Sequence, residues 1–336
     1  MSRTSLADVA TRAGVSTATA SLVLRGRPGP SAATREAVEA AATELAYRPD
    51  RTASLLATRT NRQVGVLLDV RSTFHAEFAD VLDGAAGSAG FDLVLSSLTR
   101  RRDERGALDV LLDFRCAAVI LLGTELPDAD LAGLARELPV VVAGRRGVPG
   151  VTCVAADESA GVALAVDHLV ELGHERIVYV DGPRWRIATT RRAAYRAAMR
   201  RHGLDEHIDI HPGGADEAAG LAAGERLLAA GDLPTAVLGF NDRCAVGVRV
   251  ALARGGVAVP DEVSVGGYDD SPLARLATVD LTSVNQNLDA MASASMEALQ
   301  ALLGGAAPGE ELLVPPSLSV RSTSAAAAAT TRGGTR

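Results

Sequence analysis

From Val64 to Asp270 the chain alternates short apolar runs with stretches of helical spacing, and no other feature restricts its fold as much. "VGVLLDV", "FDLVLSS", "AAVILLG" and "PVVVAG" read as buried parallel strands of one lobe, and "RIVYVDG", "TAVLGFN" and "VSVGGYDD" as those of a second. Amphipathic helices such as Ala76–Gly87 and Ser159–Leu172 fall between them. Repeated β-α units of this kind predict doubly wound sheets, whose ligands bind at the carboxyl ends of the strands. Those ends deliver polar groups: Asp69 after the first run, Asn241-Asp242 after "TAVLGF" and Asp269-Asp270 after "VGGY".

The 336 residues suffice for two or three folding units, and 47% hydrophobic content supports substantial cores. No run of 18 apolar residues is present to span a membrane, and the first residues lack the order of a signal peptide. Cys116, Cys153 and Cys244 sit singly in apolar stretches without C-x-x-C pairing, which reads as buried, reduced thiols rather than metal or redox ligands. These features predict a cytoplasmic protein.

The net charge of −7 is unevenly spread: residues 1–62 hold nine Arg against five acids, and the remainder is strongly acidic. A basic head on an acidic body is the layout expected where only the head meets nucleic acid. In that head, Ser5 stands three residues before Asp8 and caps a helix through about Arg12. Gly14 permits a tight turn, Ser16 caps a second helix over Thr17–Leu24, and Ser31 opens a third over about Ala32–Leu45. Leu6, Val9, Ala10, Val15, Ala20 and Val23, closed over by Val38, Ala41, Ala42 and Leu45, have the spacing of a small shared core. A generic three-helix bundle would satisfy this pattern, but a helix-turn-helix satisfies it with the Gly at the first turn. Pro49 and Asp50 then open a helix of only about eight residues, too short to stand alone in water, with Ala53 and Leu56 on one face.

The segments "SLADVATRAGVSTATASLVL" and "SAATREAVEAAATELAYRPDRTASLLA" closely resemble the head of the lactose-repressor/galactose-repressor (LacI/GalR) family of bacterial transcription regulators. The resemblance extends to about Ser322 through "DHLVELGHERIVYVDGP" and "VSVGGYDD". It implies a small all-α helix-turn-helix head on an α/β body of two doubly wound lobes, like periplasmic sugar-binding proteins. It further implies that Thr17, Ala18 and Leu22 read bases, that Ser16, Thr19, Ser31 and Thr34 hold phosphates, and that Leu56 with Ala53 enters the minor groove. Thr17 can hydrogen-bond a base edge, whereas Ala18 and Leu22 offer only apolar contact, as with thymine methyls. Leu22 stands where many members carry Arg or His, so the operator is not transferable from a relative.

In the body, Arg191 in "TTRRAAYRAAM" matches the effector-binding arginine four residues before an aromatic, with Arg192 as competitor because the preceding loop is one residue short. Asn241, Asp269 and Gln286 match other cleft positions, and Phe74-His75 the aromatic pair at the mouth. With Asp69, such amides, carboxylates and a guanidinium suit the paired hydroxyls of a sugar. Arg191 and Asp269 would equally close an interlobe salt bridge without ligand. Trp185, the single Trp, either stacks on a sugar face or anchors its loop.

His202, His207 and His211 lack regular metal-ligand geometry, and no G-x-G-x-x-G, P-loop or G-x-S-x-G occurs, so neither metal, cofactor nor enzyme is expected. The expected domains are a DNA-binding head over 1–48, a hinge over 49–62, an effector-binding and dimerisation body over 63–323 and a disordered tail over 324–336. The expected function is a homodimeric repressor that binds a near-palindromic operator under control of a sugar or sugar derivative. A small-molecule carrier or enzyme with a vestigial head is the rival reading, and an activator role or a nucleobase effector stays open.

Overall fold

The structure is a computed structural model, and it describes residues 4–24, 26–47 and 61–327. Two compact units divide at Asn61 and Arg62. The expected hinge residues Ala53 and Leu56 lie outside the described residues, as do positions 328–336.

The first unit holds three helices, α1 (Leu6–Arg12), α2 (Thr17–Leu24) and α3 (Ala32–Glu44). Ser5 and Asp8 form the reciprocal capping box anticipated from their spacing, and Gly14 takes the left-handed turn at φ 66°. Val9, Ala10, Ala20, Val23, Val38 and Ala41 are buried together, with Leu6, Val15, Ala42 and Leu45 packed around them. Leu24 and Tyr47 join that core too. Arg12 pairs with Glu44 at 2.7 Å and ties the end of α1 to the end of α3.

The second unit is the α/β body, whose helices are α4 (Thr73–Ser88), α5 (Glu104–Asp113), α6 (Asp128–Glu137), α7 (Glu158–Glu171), α8 (Arg186–Arg201), α9 (Glu217–Ala230), α10 (Asp242–Arg254), α11 (Pro272–Arg275) and α12 (Leu288–Leu303). Its first sheet collects β1 (Gln63–Asp69), β2 (Asp92–Leu98), β3 (Ala118–Leu122), β4 (Val140–Ala143), β5 (Thr152–Ala156) and β11 (Glu311–Val314), all parallel, in the order β11-β5-β4-β3-β1-β2. Its second collects β6 (Ile177–Val180), β7 (Asp209–His211), β8 (Ala236–Gly239), β9 (Ser264–Asp269), β10 (Thr282–Asn285) and β12 (Ser317–Ser319), in the order β12-β10-β9-β8-β6-β7. Only the edge strand β12 is antiparallel. β3, β4 and β8 are buried along their whole length, as strands covered by helices on both faces must be.

The apolar runs identified in the sequence correspond to β1–β4, β6, β8 and β9. The remaining strands are only three to five residues long, and all but β11 carry Ser, Thr or Asp, so their composition alone does not mark them.

The chain passes between the lobes three times. It leaves the first lobe after β5 and enters α7 (Glu158–Glu171), whose Val162, Val166 and Leu169 pack in the second core. It returns at Gln286–Asn287 into α12 (Leu288–Leu303), whose Met291, Met296 and Leu299 pack with Val64 and Phe78. It crosses finally through Pro315-Pro316, between β11 and β12. The ordered chain also runs past the expected start of the tail: Ser324 bonds His168 at 2.9 Å, and the Ala327 N–H donates to Leu172 O at 2.8 Å. The body thus continues through at least Ala327.

Cys116, Cys153 and Cys244 are buried free thiols. His202 and His211 bond Asp167 and Asp209, at 2.6 and 3.0 Å. Among the described residues no helix is long and apolar enough to cross a membrane.

Candidate effector cleft and DNA-reading head

The head presents its expected base readers outward. Thr17, Ala18 and Leu22 are all exposed, and Leu22 leaves 43% of its surface in solvent despite being apolar. Such an aliphatic side chain, on a helix whose other exposed residues, Thr17 and Ala18, are small, is available to a methyl group of a partner. The four expected phosphate ligands fall at two helix starts. The Ser16 hydroxyl accepts from the Thr19 N–H at 3.1 Å and the Ser31 hydroxyl from the Thr34 N–H at 3.2 Å. In both pairs the two hydroxyls also bond each other at 2.9 Å. Each pair therefore lies where free backbone N–H groups and the helix dipole favour an anion.

In the body, a cavity of about 570 Å³ opens where the carboxyl ends of both sheets face one another. Asp69, Phe74, His75, Trp185, Arg191, Asn241, Asp269 and Gln286 all line it. They reach it from six separate segments of the body.

Arg191 projects from α8 (Arg186–Arg201), which Tyr195 locks to β6 by donating to Ile177 O at 2.5 Å. Its guanidinium donates to Glu158 from Nε at 2.6 Å and to Phe240 O from Nη1 at 2.8 Å, and it lies 3.6 Å over the Tyr268 ring. Burial works against its charge, but Glu158, Tyr268 and Asp269 overcome that and hold it protonated far above any working pH. Asp269 stands 3.8 Å from Arg191. Both residues belong to the second lobe, so the salt bridge expected between lobes runs within one. Arg192 turns elsewhere, to Asp181 and Thr189, and does not line the cavity.

Asp269 has φ 108° and its neighbour Asp270 φ 49°, an uncommon pair of positive angles for non-glycine residues at the end of a strand. Burial pushes the Asp269 carboxyl well above the ordinary range, with Arg191 opposing and Asp242 and Glu158 reinforcing. Gln286, in the second crossing, donates to Asp269 at 2.7 Å. Asn241 caps α10 (Asp242–Arg254), accepting from the Cys244 N–H at 2.9 Å and donating to Ala215 O at 3.1 Å. Its amide orientation is thereby set before any ligand arrives.

On the facing lobe, the Asp69 N–H donates to His75 Nδ1 at 2.9 Å. Burial keeps that imidazole neutral, down to a pKa of about 4, with Asp69 opposing. The ring proton therefore sits on Nε2. Burial also resists ionisation of Asp69, but bonds from Arg71 outweigh it and hold the carboxyl below its usual range. Trp185 begins α8 without a side-chain cap, 41% exposed and edge-on to Phe240 at 6.2 Å. The missing cap comes from across the cleft: the Arg186 N–H donates to Glu125 Oε1 at 3.1 Å.

Glu158, Tyr268, Phe240 and Glu125 escaped the sequence reading. Glu158 heads a helix within an otherwise ordinary N-terminal pattern, and Tyr268 and Phe240 look like strand residues. Only "DES" before α7 and "FN" before α10 marked them as strand-end neighbours.

The description "bacterial regulatory proteins, lacI family" matches residues 5–50, and "periplasmic binding protein-like domain" matches residues 166–324. The HTH-type transcriptional regulator GalR of Escherichia coli K12 is 35% identical over 301 residues, covering 88% of each chain. Two solved structures share the architecture at 29% identity. One is the lac repressor dimer bound to operator and the anti-inducer ONPF, with TM-score 0.85 over 97% of this chain and all of that one. The other is a complex of the transcriptional regulator CelR with cellobiose, with TM-score 0.69 over 96% of this chain and all of that one.

Proposed function

This chain belongs to the lacI family of bacterial regulatory proteins, and from that premise we propose that it is a homodimeric transcriptional repressor released or engaged by a sugar in its interlobe cleft. The observation that carries the reading is the convergence of all eight expected effector ligands on one cavity, in a chain that also bears an outward-facing helix-turn-helix. The cavity volume lies within the usual range for a small-molecule site. A guanidinium, fixed amides, carboxylates and a neutral imidazole donor are the groups that recognise hydroxyls in fixed directions. The operator-bound lac repressor and the cellobiose complex of CelR support both halves of the proposal.

In the head, Thr17, Ala18 and Leu22 read bases, and the hydroxyl pairs Ser16/Thr19 and Ser31/Thr34 hold phosphates at the starts of α2 and α3. Phosphate contacts set register and base contacts set sequence. Residues 1–48 form the DNA-binding head and 49–62 the hinge, with Leu56 and Ala53 wedged into the operator centre, and the body from residue 63 binds effector and pairs the protomers. The protein works in the cytoplasm at the nucleoid. One small head binds weakly, while two linked heads on a near-palindrome raise the effective concentration of the second contact. Effector coupling of about 1–3 kcal/mol changes operator affinity about 5- to 150-fold.

Selection of duplexes from a random pool by the full-length protein, with and without a metabolite extract, tests this. A palindrome should be recovered, and Leu56→Ala should abolish its retention while leaving effector binding intact. No enrichment under either condition, or an indifferent Leu56→Ala, would refute the reading.

A further inference from the structure

We infer, on the reading that this cavity holds the effector, that the effector is an uncharged polyhydroxylated molecule and that phosphorylated or carboxylated sugars are rejected. The cavity looks basic at first sight, since five arginines line it. Each of them already has a carboxylate. Arg191 is paired with Glu158, and Arg145 with Asp128. Arg71 grips Asp69 through Nε and Nη2 at 2.8 and 2.6 Å. Arg146 holds Glu311 at 2.8 Å. Arg186 lies 3.9 Å from Glu125 and 3.7 Å from Asp128.

Recognition of a phosphate or carboxylate depends on arginine forks with donors to spare. Arg145 and Arg191 face the cavity from buried positions, with side chains only 6% and 5% exposed. A ligand anion that captured the Arg191 fork would leave Glu158, 4% exposed, unpaired in a poorly solvated wall, which is strongly unfavourable. Arg145 is also held by the carbonyls of Thr124 and Leu126, to which its Nη1 donates at 3.0 and 2.6 Å, while its buried Nε has no hydrogen-bond partner.

One carboxylate of the wall stands beyond this pairing. Glu104 has no arginine within ion-pair distance among the described residues; its Oε2 accepts from the Glu125 N–H at 3.2 Å and its Oε1 is buried without a hydrogen-bond partner. Burial raises its pKa and so resists its ionisation. The lining therefore sets five carboxyl groups, Asp69, Glu104, Glu125, Glu158 and Asp269, against five arginines that already have carboxylate partners, and it offers acceptors and directed donors rather than an unpaired cation. Hydroxyls use such a surface and anions do not.

The experiment is a binding panel on the full-length protein, read by the fluorescence of Trp185 and by calorimetry. It contains ribose, galactose, maltose and cellobiose, their monophosphates, glucuronate, adenine and hypoxanthine. At least one neutral sugar should bind about 100-fold or more tightly than its phosphate. Asp128→Asn removes the partner shared by Arg145 and Arg186, and should narrow that ratio by about tenfold or more through gained phosphate affinity. A phosphate or uronate that binds as well as its neutral counterpart overturns the inference and leaves the sugar reading standing. An unchanged ratio in Asp128→Asn overturns arginine pairing as its cause. Binding of the purines alone, or of nothing in the panel, removes the sugar reading and this inference with it.

Discussion

Removing Glu158 should damage the cleft more than removing any of its exposed charges, and a double-substitution cycle with Arg191 measures why. The two side chains are 4% and 5% exposed and meet at 2.6 Å. Glu158→Ala strips the guanidinium of its main counter-charge and leaves it with Phe240 O at 2.8 Å and Asp269 at 3.8 Å. Breaking one side of a buried pair costs about 3–5 kcal/mol, chiefly because the other charge stays behind. At about 2–4 °C per kcal/mol for a body of this size, the melting temperature should fall by about 6–20 °C. Arg191→Ala orphans Glu158 in the same way and also loses the stack over Tyr268. The double substitution removes both charges, so its cost should undershoot the sum of the singles by about 2–3 kcal/mol. Calorimetric unfolding of the four proteins supplies the cycle. A Glu158→Ala cost below about 1 kcal/mol, or strict additivity, would refute the assignment of Arg191 as a charge held in place by Glu158.

Stability should also depend on pH in a defined direction. Burial raises Glu77 to about 7, and it raises Asp242 and Asp269 as well, so the folded protein holds protons that the unfolded chain releases. Stability from such groups is present at low pH and lost as pH rises through their folded pKa values. His75, depressed to about 4, has the opposite sign but acts only below its ordinary 6.5. The melting temperature should therefore fall between about pH 6.5 and about pH 8.5, and Glu77→Gln with Asp269→Asn should flatten the slope; a rising curve would contradict this. Finally, Glu125→Ala should uncap α8 from across the cleft, speeding hydrogen exchange at the Arg186 amide about fivefold, for a cap worth about 1 kcal/mol. Unaltered exchange there would mean that Glu125 is not the cap.

The head was legible almost residue by residue. Ser5, Ser16 and Ser31 cap helices whose first N–H groups lie within three positions, and the ten core residues recur at helical spacing, so every determinant is local. The lobes were legible where strands are long apolar runs, and their shortest strands were not. β7, β10 and β12 are three or four residues of mixed character that become strands only because a neighbouring edge offers hydrogen bonds. The end of the body was placed too early for a related reason. "SAAAAA" carries no packing pattern, yet Ser324 and Ala325 are held by Thr282, His168 and His174.

What the sequence determined by itself is whatever a chain settles over a turn or a strand: helices, caps, buried parallel strands and the polar residues at their ends. What only the tertiary structure decided is who meets whom. Arg191 finds Glu158 33 positions away and Phe240 O 49 away, Glu125 caps a helix 61 positions on, and Arg146 reaches Glu311 across 165. Nothing in a single residue's neighbourhood in the chain distinguishes an arginine free to bind a ligand from one already neutralised. That distinction depends on distance through a poorly solvated interior, where a few ångströms decide whether a charge is stabilised, and only the packing of two sheets and three crossings sets those distances.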